Sequence, residues 1–554
     1  MNIKGMQPAK EAYNSPLLIK NILTTPLIYS SEQEIIYRDK VRYSYATFIK
    51  RVAKLAGVLE QLGVKQGDTV AVMDWDSHRY LEAFFAIPMM GAVLHTINVR
   101  LSLEQLSYTL CHAEDVVILV NADFISLLES IKDNLKTVKK IVLLSDEKRA
   151  PDTTFDLCGE YEELLAKSSS DYYFPDFSEN TIATIFYTTG TTGRPKGVFF
   201  THRQILLHTY GIMAALCAYK SQANINSEDV YMPLTPMFHV HAWGIPFLMT
   251  LLGAKQVYPG RYEPEILLKL IIGEGVTFSH CVPTIMHMIV NSPAVKKIDL
   301  SGWKVIIGGS PLSKSLCRTA LELGINLFTG YGLSETCPLL TITRLKPHML
   351  AWDLEDQIKI RCRTGLPLPN ILLDIVDKSG KPVSRDGKSS GEIIARGPWL
   401  TQGYLKDKEK SEKLWEGGWL HTGDIGFIDN NGYLQITDRI KDVIKIGGEI
   451  ISSFQLEEIL NQHIAVNEAV VVGIPDKKWG EIPLALVLLK DKFIADITNN
   501  EIYDFLMKTI NNEGNFEYLA QCKIVVADSI AKTGVGKINK KWIRKNYQKI
   551  IENK

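Results

Sequence analysis

Between residues 40 and 150 the apolar positions switch repeatedly between two periods. Over residues 45–62 they fall at Phe48, Val52, Leu55, Ala56, Leu59 and Leu62, the spacing that gives a helix one apolar face. Residues 68–73 follow as a short continuous apolar run, which predicts a buried strand, and 81–90 is helical again. Two more strands are expected at 115–120 and 140–144. Strands and helices alternating at this spacing predict parallel sheets with helices on their faces. The same rhythm returns after residue 200, with strands at 276–279 and 303–307.

From about residue 365 the texture changes. Short apolar runs at 371–376, 391–395 and 433–436 are separated by Gly, Asp, Asn and Pro, which predicts a small β-rich subdomain. A charged segment, 438–442, then precedes a further α+β unit, with helices at 456–460 and 500–510 and strands at 468–473 and 484–489. That last stretch is roughly 110 residues, the size of an independent domain. The basic end, 540–554, reads as a solvated helix.

Composition narrows the function classes. Lys+Arg and Asp+Glu both number 62, so the net charge is zero, and binding of nucleic acid by charge is excluded. The longest apolar run, 244–254, falls short of the ~18–20 residues that span a bilayer. The first residues lack the apolar stretch of a secretory signal, so a cytoplasmic chain is expected. The eight cysteines contain no CxxC pair and read as reduced thiols, not as a disulfide framework or a zinc site.

The most informative stretch joins an apolar run to a loop rich in hydroxyls, glycine and positive charge: Thr188, Thr189, Gly190, Thr191, Thr192, Gly193, Arg194, Pro195, Lys196 and Gly197. Glycines let backbone N–H groups converge on one point, the threonines add donors and Lys196 adds a cation, which together suit a polyphosphate. The spacing differs from that of the GxxxxGK[ST] loop. This stretch resembles the phosphate loop of the adenylate-forming enzymes, a family that includes acyl-CoA synthetases. Four further motifs follow in the family's order: Gly330 to Thr336, Gly418 to Asp424, Asp438 to Asp442 and Lys532 to Lys537.

The resemblance implies an α/β fold: a large N-terminal domain of two parallel αβ subdomains plus the β-rich one, and a small mobile α+β C-terminal domain. Its boundaries would be 1–437, a hinge at 438–442, and 443–554. It also implies two half-reactions, in which a carboxylate is joined to the α-phosphate of ATP, releasing pyrophosphate, and the acyl group then passes to the thiol of coenzyme A. Two anions must meet in the first, so positive charge is needed where repulsion is greatest. By position in the matched motifs, Lys537 would bridge carboxylate and α-phosphate. Glu335 and Thr188 would hold Mg2+, a hard cation satisfied by few carboxylates plus phosphate oxygens. Tyr331 and Gly332 would face adenine, Ser334 the α-phosphate, and Asp424 and Arg439 the ribose, with Gly309 and Ser310 beside the nucleotide. Two small departures, Ala531 for the proline that opens the lysine motif and Ser334 for threonine, remove no chemical group the reaction needs.

The acyl site is expected around His239, Trp243, Gly308 and Pro338, with His239 near the substrate carboxylate and Trp243 either a lid or a core residue. These stretches offer no ionic partner for a charged tail, which points to an aliphatic acid held at ~0.8 kcal/mol per buried methylene. For the second half-reaction the resemblance implies rotation about Lys441, presenting a face made of Lys445, Gly447, Gly448 and Glu449 to the pantetheine arm. A plain strand-to-helix turn with Ser453 as N-cap is compatible with that role. The pattern Ser452-Ser453 after Gly448-Glu449, with Met237-Phe238-His239 and Gly397-Pro398-Trp399, resembles that of the medium- to long-chain fatty acyl-CoA synthetases. The alternatives are a ligase for short or sulfur-containing aliphatic acids, or an acyl-AMP ligase loading a carrier protein. The partners implied are fatty acid and coenzyme A, with no nucleic acid and no integral membrane segment. Peripheral membrane contact and a homodimer stay open.

Overall fold

The computed structural model describes residues 9–147, 151–188, 194–219, 222–447, 449–494, 496–513, 520–532 and 538–552. Two large sheets carry the N-terminal part. The first has six strands in the order Lys140–Leu144, Asp115–Asn121, Thr69–Met73, Val93–Thr96, Ile182–Thr188 and Lys196–Thr201. The first five run parallel, and the last pairs antiparallel with its neighbour. The second sheet has nine strands, parallel from Asn326–Gly332 across to Glu34–Tyr37 and antiparallel at both ends. The alternating rhythm of the sequence is thus realised as two mostly parallel sheets whose central strands are buried on both faces.

Between the sheets lie helices with no exposed face. Every residue of the helix His78–Met89 is buried, and the apolar run at 244–254 is filled by the helix Ile245–Leu252, buried from Ile245 to Leu251. That run is therefore a core helix. Among the described residues no helix is long and apolar enough to cross a membrane.

The β-rich subdomain is a four-stranded antiparallel sheet, Leu372–Val376, Gly391–Arg396, Leu420–Ile428 and Leu434–Arg439. Beyond it, Ile444 to Ile543 form a separate hydrophobic core around a five-stranded sheet.

Three sequence expectations need correction. The strand placed at 276–279 is Phe278–Cys281, because the residues before it form the bend after the helix Pro264–Glu274, where Gly275 takes a left-handed conformation. The helix Ser453–Leu460 is capped by Ser452, whose hydroxyl accepts the Gln455 N–H, and Ser453 lies inside it, fully buried. The basic tail is not simply solvated. In the helix Lys540–Glu552, Ile543 is buried, the Lys540 ammonium sits 2.8 Å from Glu457, and Arg544 pairs with Asp442 at 2.7 Å. The face that docks carries both apolar contacts and paired charges, so charge count alone misreads it.

Candidate active site

The strands Ile182–Thr188 and Lys196–Thr201 pair so that Thr188 lies directly opposite Lys196. The hairpin thus delivers both residues to the base of the threonine–glycine loop. Thr189, Gly190, Thr191, Thr192 and Gly193 lie outside the described residues.

Lys196 turns its ammonium over the ring of Tyr404, 4.3 Å from the centroid. Burial lowers its pKa, while Glu335 opposes that shift. Tyr404 in turn donates its hydroxyl to Glu335 Oε1 at 2.7 Å. Burial and then the Glu335 charge push this phenol far above its ordinary value, so it remains a donor. Backbone bonds fasten the same segment: the Thr401 N–H donates to the Glu335 carbonyl at 2.9 Å and the Leu405 N–H to the Gly197 carbonyl at 2.8 Å. Tyr404 therefore ties Lys196, at the start of its strand, to the Glu335 turn. The sequence reading did not single it out; the available signal was Gly403-Tyr404 following the apolar Trp399-Leu400 pair.

Glu335 sits in a short 3-10 turn, Ser334–Thr336, just after the strand Asn326–Gly332. It is not a helix-capping partner. Gly332 is obligatory there, since a Cβ would lie 1.7 Å from the Pro338 carbonyl oxygen. One strand residue earlier, the Tyr331 hydroxyl donates to Asp424 Oδ2 at 2.8 Å, and Asp424 Oδ1 lies 2.9 Å from Arg439 Nε. Asp424 and Arg439 are register partners on adjacent strands, so the ladder itself aligns the pair. Burial, then the Asp424 charge, raises the Tyr331 pKa well above its ordinary value. Asp424 is 2 % exposed and caps no turn. Three residues from three sequence motifs thus form one polar cluster at the edge of the Glu335 turn.

The acyl candidates also converge. His239 is half-buried and opens a turn in which Val240, His241, Ala242 and Trp243 all take left-handed backbone conformations, with φ of 50°, 55°, 48° and 59°, before Gly244 at 71°. Left-handed geometry costs about 1–2 kcal/mol per non-glycine residue, so the surroundings must hold these four. The turn drives Trp243 against Gly308: a Cβ there would meet the indole at 2.8 Å. Trp243 is buried and packs on His280 at 4.9 Å between ring centroids, so it is a wall of this region. Cys337 and Pro338 are buried beside it, and the Cys337 carbonyl approaches Gly244. Gly309 is exposed with φ 79°, and Ser310 is half-buried at the rim.

Three buried histidines surround the turn. His241 lies among the rings of Phe84, Phe186 and Phe247, His208 against Gly244 and Trp399, and His280 between the Tyr231 and Thr235 hydroxyls. Burial pushes all three down to about 3, so all are neutral at pH 7.

The hinge candidates lie where the β-rich sheet hands over to the C-terminal unit. Asp438 is buried and accepts the Ser453 N–H at 2.5 Å, and Lys540 donates to the Ser453 hydroxyl at 2.6 Å. Lys441 and Lys445 are exposed, Gly447 begins the turn between strands Ile444–Ile446 and Glu449–Ile451 at φ 60°, and Glu449 is exposed. Gly448 and Lys537 lie outside the described residues. Lys532 and Ile538 pair as an isolated antiparallel bridge.

The AMP-binding enzyme pattern matches residues 29–405, more than half of the chain, and the AMP-binding enzyme C-terminal domain pattern matches 455–537. The chain belongs to the AMP-binding enzyme family. Among relatives of this AMP-binding enzyme, a long-chain-fatty-acid–CoA ligase of Thermus thermophilus is 39% identical over 92% of this chain and 90% of its own. A 3-methylmercaptopropionyl-CoA ligase of Ruegeria lacuscaerulensis is 33% identical over 96% and 98%. Among solved structures, ATP-bound MatB from Rhodopseudomonas palustris superposes with a TM-score of 0.83 at 22% identity, covering 97% of this chain and all of that one. That likeness confirms the fold of an AMP-binding enzyme: an α/β body and a separate C-terminal domain.

Proposed function

We propose that this AMP-binding enzyme is an ATP-dependent acid–thiol ligase acting on fatty or other uncharged aliphatic acids. A carboxylate oxygen attacks the α-phosphorus of ATP and pyrophosphate leaves, giving an acyl adenylate. The coenzyme A thiol then attacks the acyl carbonyl and AMP leaves. The observation that carries this reading is the joining of two clusters, Tyr331–Asp424–Arg439 and Glu335–Tyr404–Lys196, at neighbouring positions of one strand and its turn.

In this reading Asp424 accepts the ribose hydroxyls, with Arg439 holding the carboxylate in place, while Tyr331 and Gly332 offer a flat face to adenine. Thr188, Lys196 and the loop from Thr189 to Gly193 take the outgoing phosphates, with Gly309, Ser310 and Ser334 along the nucleotide's other side. Glu335 and Thr188 suit Mg2+: the donor set is hard oxygen, and phosphate oxygens and water complete it. When bound, the cation neutralises charge on the phosphates. Lys537 bridges the substrate carboxylate and the α-phosphate, adding charge where repulsion is greatest. His239 lies on the carboxylate side. The tail runs past Trp243, Gly308 and Pro338, where the neutral histidines oppose no charge to it and favour an uncharged chain.

For thioester formation we assign 1–437 to adenylation, 438–442 to a hinge pivoting at Lys441, and 443–554 to the mobile domain. Its Lys445, Gly447, Gly448 and Glu449 face the pantetheine arm. Eight unpaired thiols support a cytoplasmic setting. The sulfur-containing acid of the Ruegeria relative keeps short thioether acids as the second reading. An acid panel assayed for AMP release with and without coenzyme A tests the proposal. Acid-dependent release accelerated by coenzyme A is expected; release that ignores every aliphatic acid contradicts it.

A further inference from the structure

The strained turn that carries Trp243 is held from the other sheet. The loop entering it, 236–239, follows the strand Val230–Leu234 of the nine-stranded sheet. Its Met237 N–H donates to Asp76 Oδ1 at 2.8 Å, and its Phe238 carbonyl accepts the Thr96 hydroxyl at 3.0 Å. Asp76 and Thr96 belong to the six-stranded sheet: Thr96 ends the strand Val93–Thr96, and Asp76 lies just past Thr69–Met73. Asp76 is bonded a second and third time to the nine-stranded sheet's side. The Tyr262 hydroxyl donates to Oδ2 at 2.5 Å, and the Gly260 N–H to the Asp76 carbonyl at 2.8 Å.

Met237 and Phe238 pack into the main core. On its other side the loop is less closely held: Pro236 and Phe238 border a cavity of about 240 Å³, shared with Trp75, Asp76, Arg100 and Tyr262. The directional bonds to Asp76 and Thr96 add to packing in setting where the loop sits. Immediately beyond them come four consecutive left-handed non-glycine residues, which relax unless the entry is anchored.

We infer that Asp76 is a positioning residue for the acyl site: with Thr96 it clamps loop 236–239 and so holds the left-handed turn that seats Trp243 against Gly308. The inference rests on the proposed role of this region as the acyl site. Asp76 acts through the backbone of Met237.

The test is acid-dependent pyrophosphate exchange into ATP, titrated separately with an aliphatic acid and with ATP. Asp76→Ala raises the KM for acid about tenfold, the scale of leaving one buried donor without its acceptor, and leaves the KM for ATP within about twofold. Asp76→Asn restores the acid KM to within about threefold, because the amide oxygen still accepts the Met237 N–H. Thr96→Val, which keeps shape and loses only the hydroxyl, raises the acid KM by about threefold or more and carries the test if the alanine variant fails to fold. Unchanged acid KM in Thr96→Val, equal losses for acid and ATP in Asp76→Ala, or no recovery in Asp76→Asn overturns the clamp. Wild-type enzyme that exchanges pyrophosphate with no acid at all sinks the acyl-ligase reading instead, so the two failures are distinct.

Discussion

Glu335 accepts the hydroxyl of Tyr404 at 2.7 Å, across 69 residues of sequence. The bond leaves the carboxylate's second oxygen to serve another partner and orients both. It also places the aromatic ring on which the Lys196 ammonium rests, so the acid of one motif and the cation of another are coupled through a tyrosine.

Tyr404→Phe keeps the ring under Lys196 and deletes the donor to Glu335. Bonds to charged groups are worth about 1.5–3 kcal/mol, so the Mg2+ concentration for half-maximal pyrophosphate exchange rises roughly tenfold. A magnesium titration checks this; an unchanged midpoint would show that Tyr404 does not orient Glu335.

Asp424→Ala removes a buried carboxylate and leaves Tyr331 and Arg439 without their shared acceptor. The KM for ATP rises about 10- to 100-fold, while Tyr331→Phe, which loses one donor and keeps the flat ring, costs about threefold. Initial rates at saturating acid separate the two. Equal effects would mean that the Tyr331–Asp424 bond, and not the carboxylate's own contact with the ribose, governs nucleotide binding.

Lys537→Ala abolishes adenylate formation, yet the variant still transfers the acyl group from supplied acyl-AMP to coenzyme A. Lys441→Pro does the reverse, sparing pyrophosphate exchange and stopping thioester release, because a fixed φ blocks rotation at the hinge. Parallel loss of both half-reactions in either variant contradicts its assignment.

Asp76 also predicts how stability responds to pH. Burial lifts its carboxyl to about 7; the Tyr262 hydroxyl and Met237 N–H oppose the shift, Asp74 adds to it and Arg100 opposes it. In the unfolded chain the group titrates near ~3.9. A pKa raised by folding stabilises fully below the unfolded value, and that contribution is lost as pH rises through the folded value. The melting temperature of the wild type relative to Asp76→Asn therefore falls between pH 5 and about 7 and levels off above it. A difference that stays constant across that window contradicts the raised value.

Much of this was legible from local pattern. The alternation of apolar periods announced parallel sheets, because strands buried on both faces must be continuously apolar. The turn-rich stretch after residue 365 announced a small β-rich subdomain, and the structure shows its four strands to be antiparallel. Thr188 stood out within a loop dense in hydroxyls, glycine and positive charge, whereas Glu335, Asp424 and Arg439 were picked out by the resemblance of their motifs to those of the adenylate-forming enzymes. Tertiary structure decided what brings those residues together: Tyr404 beneath Lys196 and Asp76 under Met237 are pairings between distant segments, with no periodicity to announce them, and Asp424 opposite Arg439 depends on the register of two adjacent strands. It also decided that Trp243 is a wall and that the basic tail docks. A side chain's burial depends on what the rest of the fold lays against it, whereas its preference for helix or strand depends mainly on its neighbours in the chain.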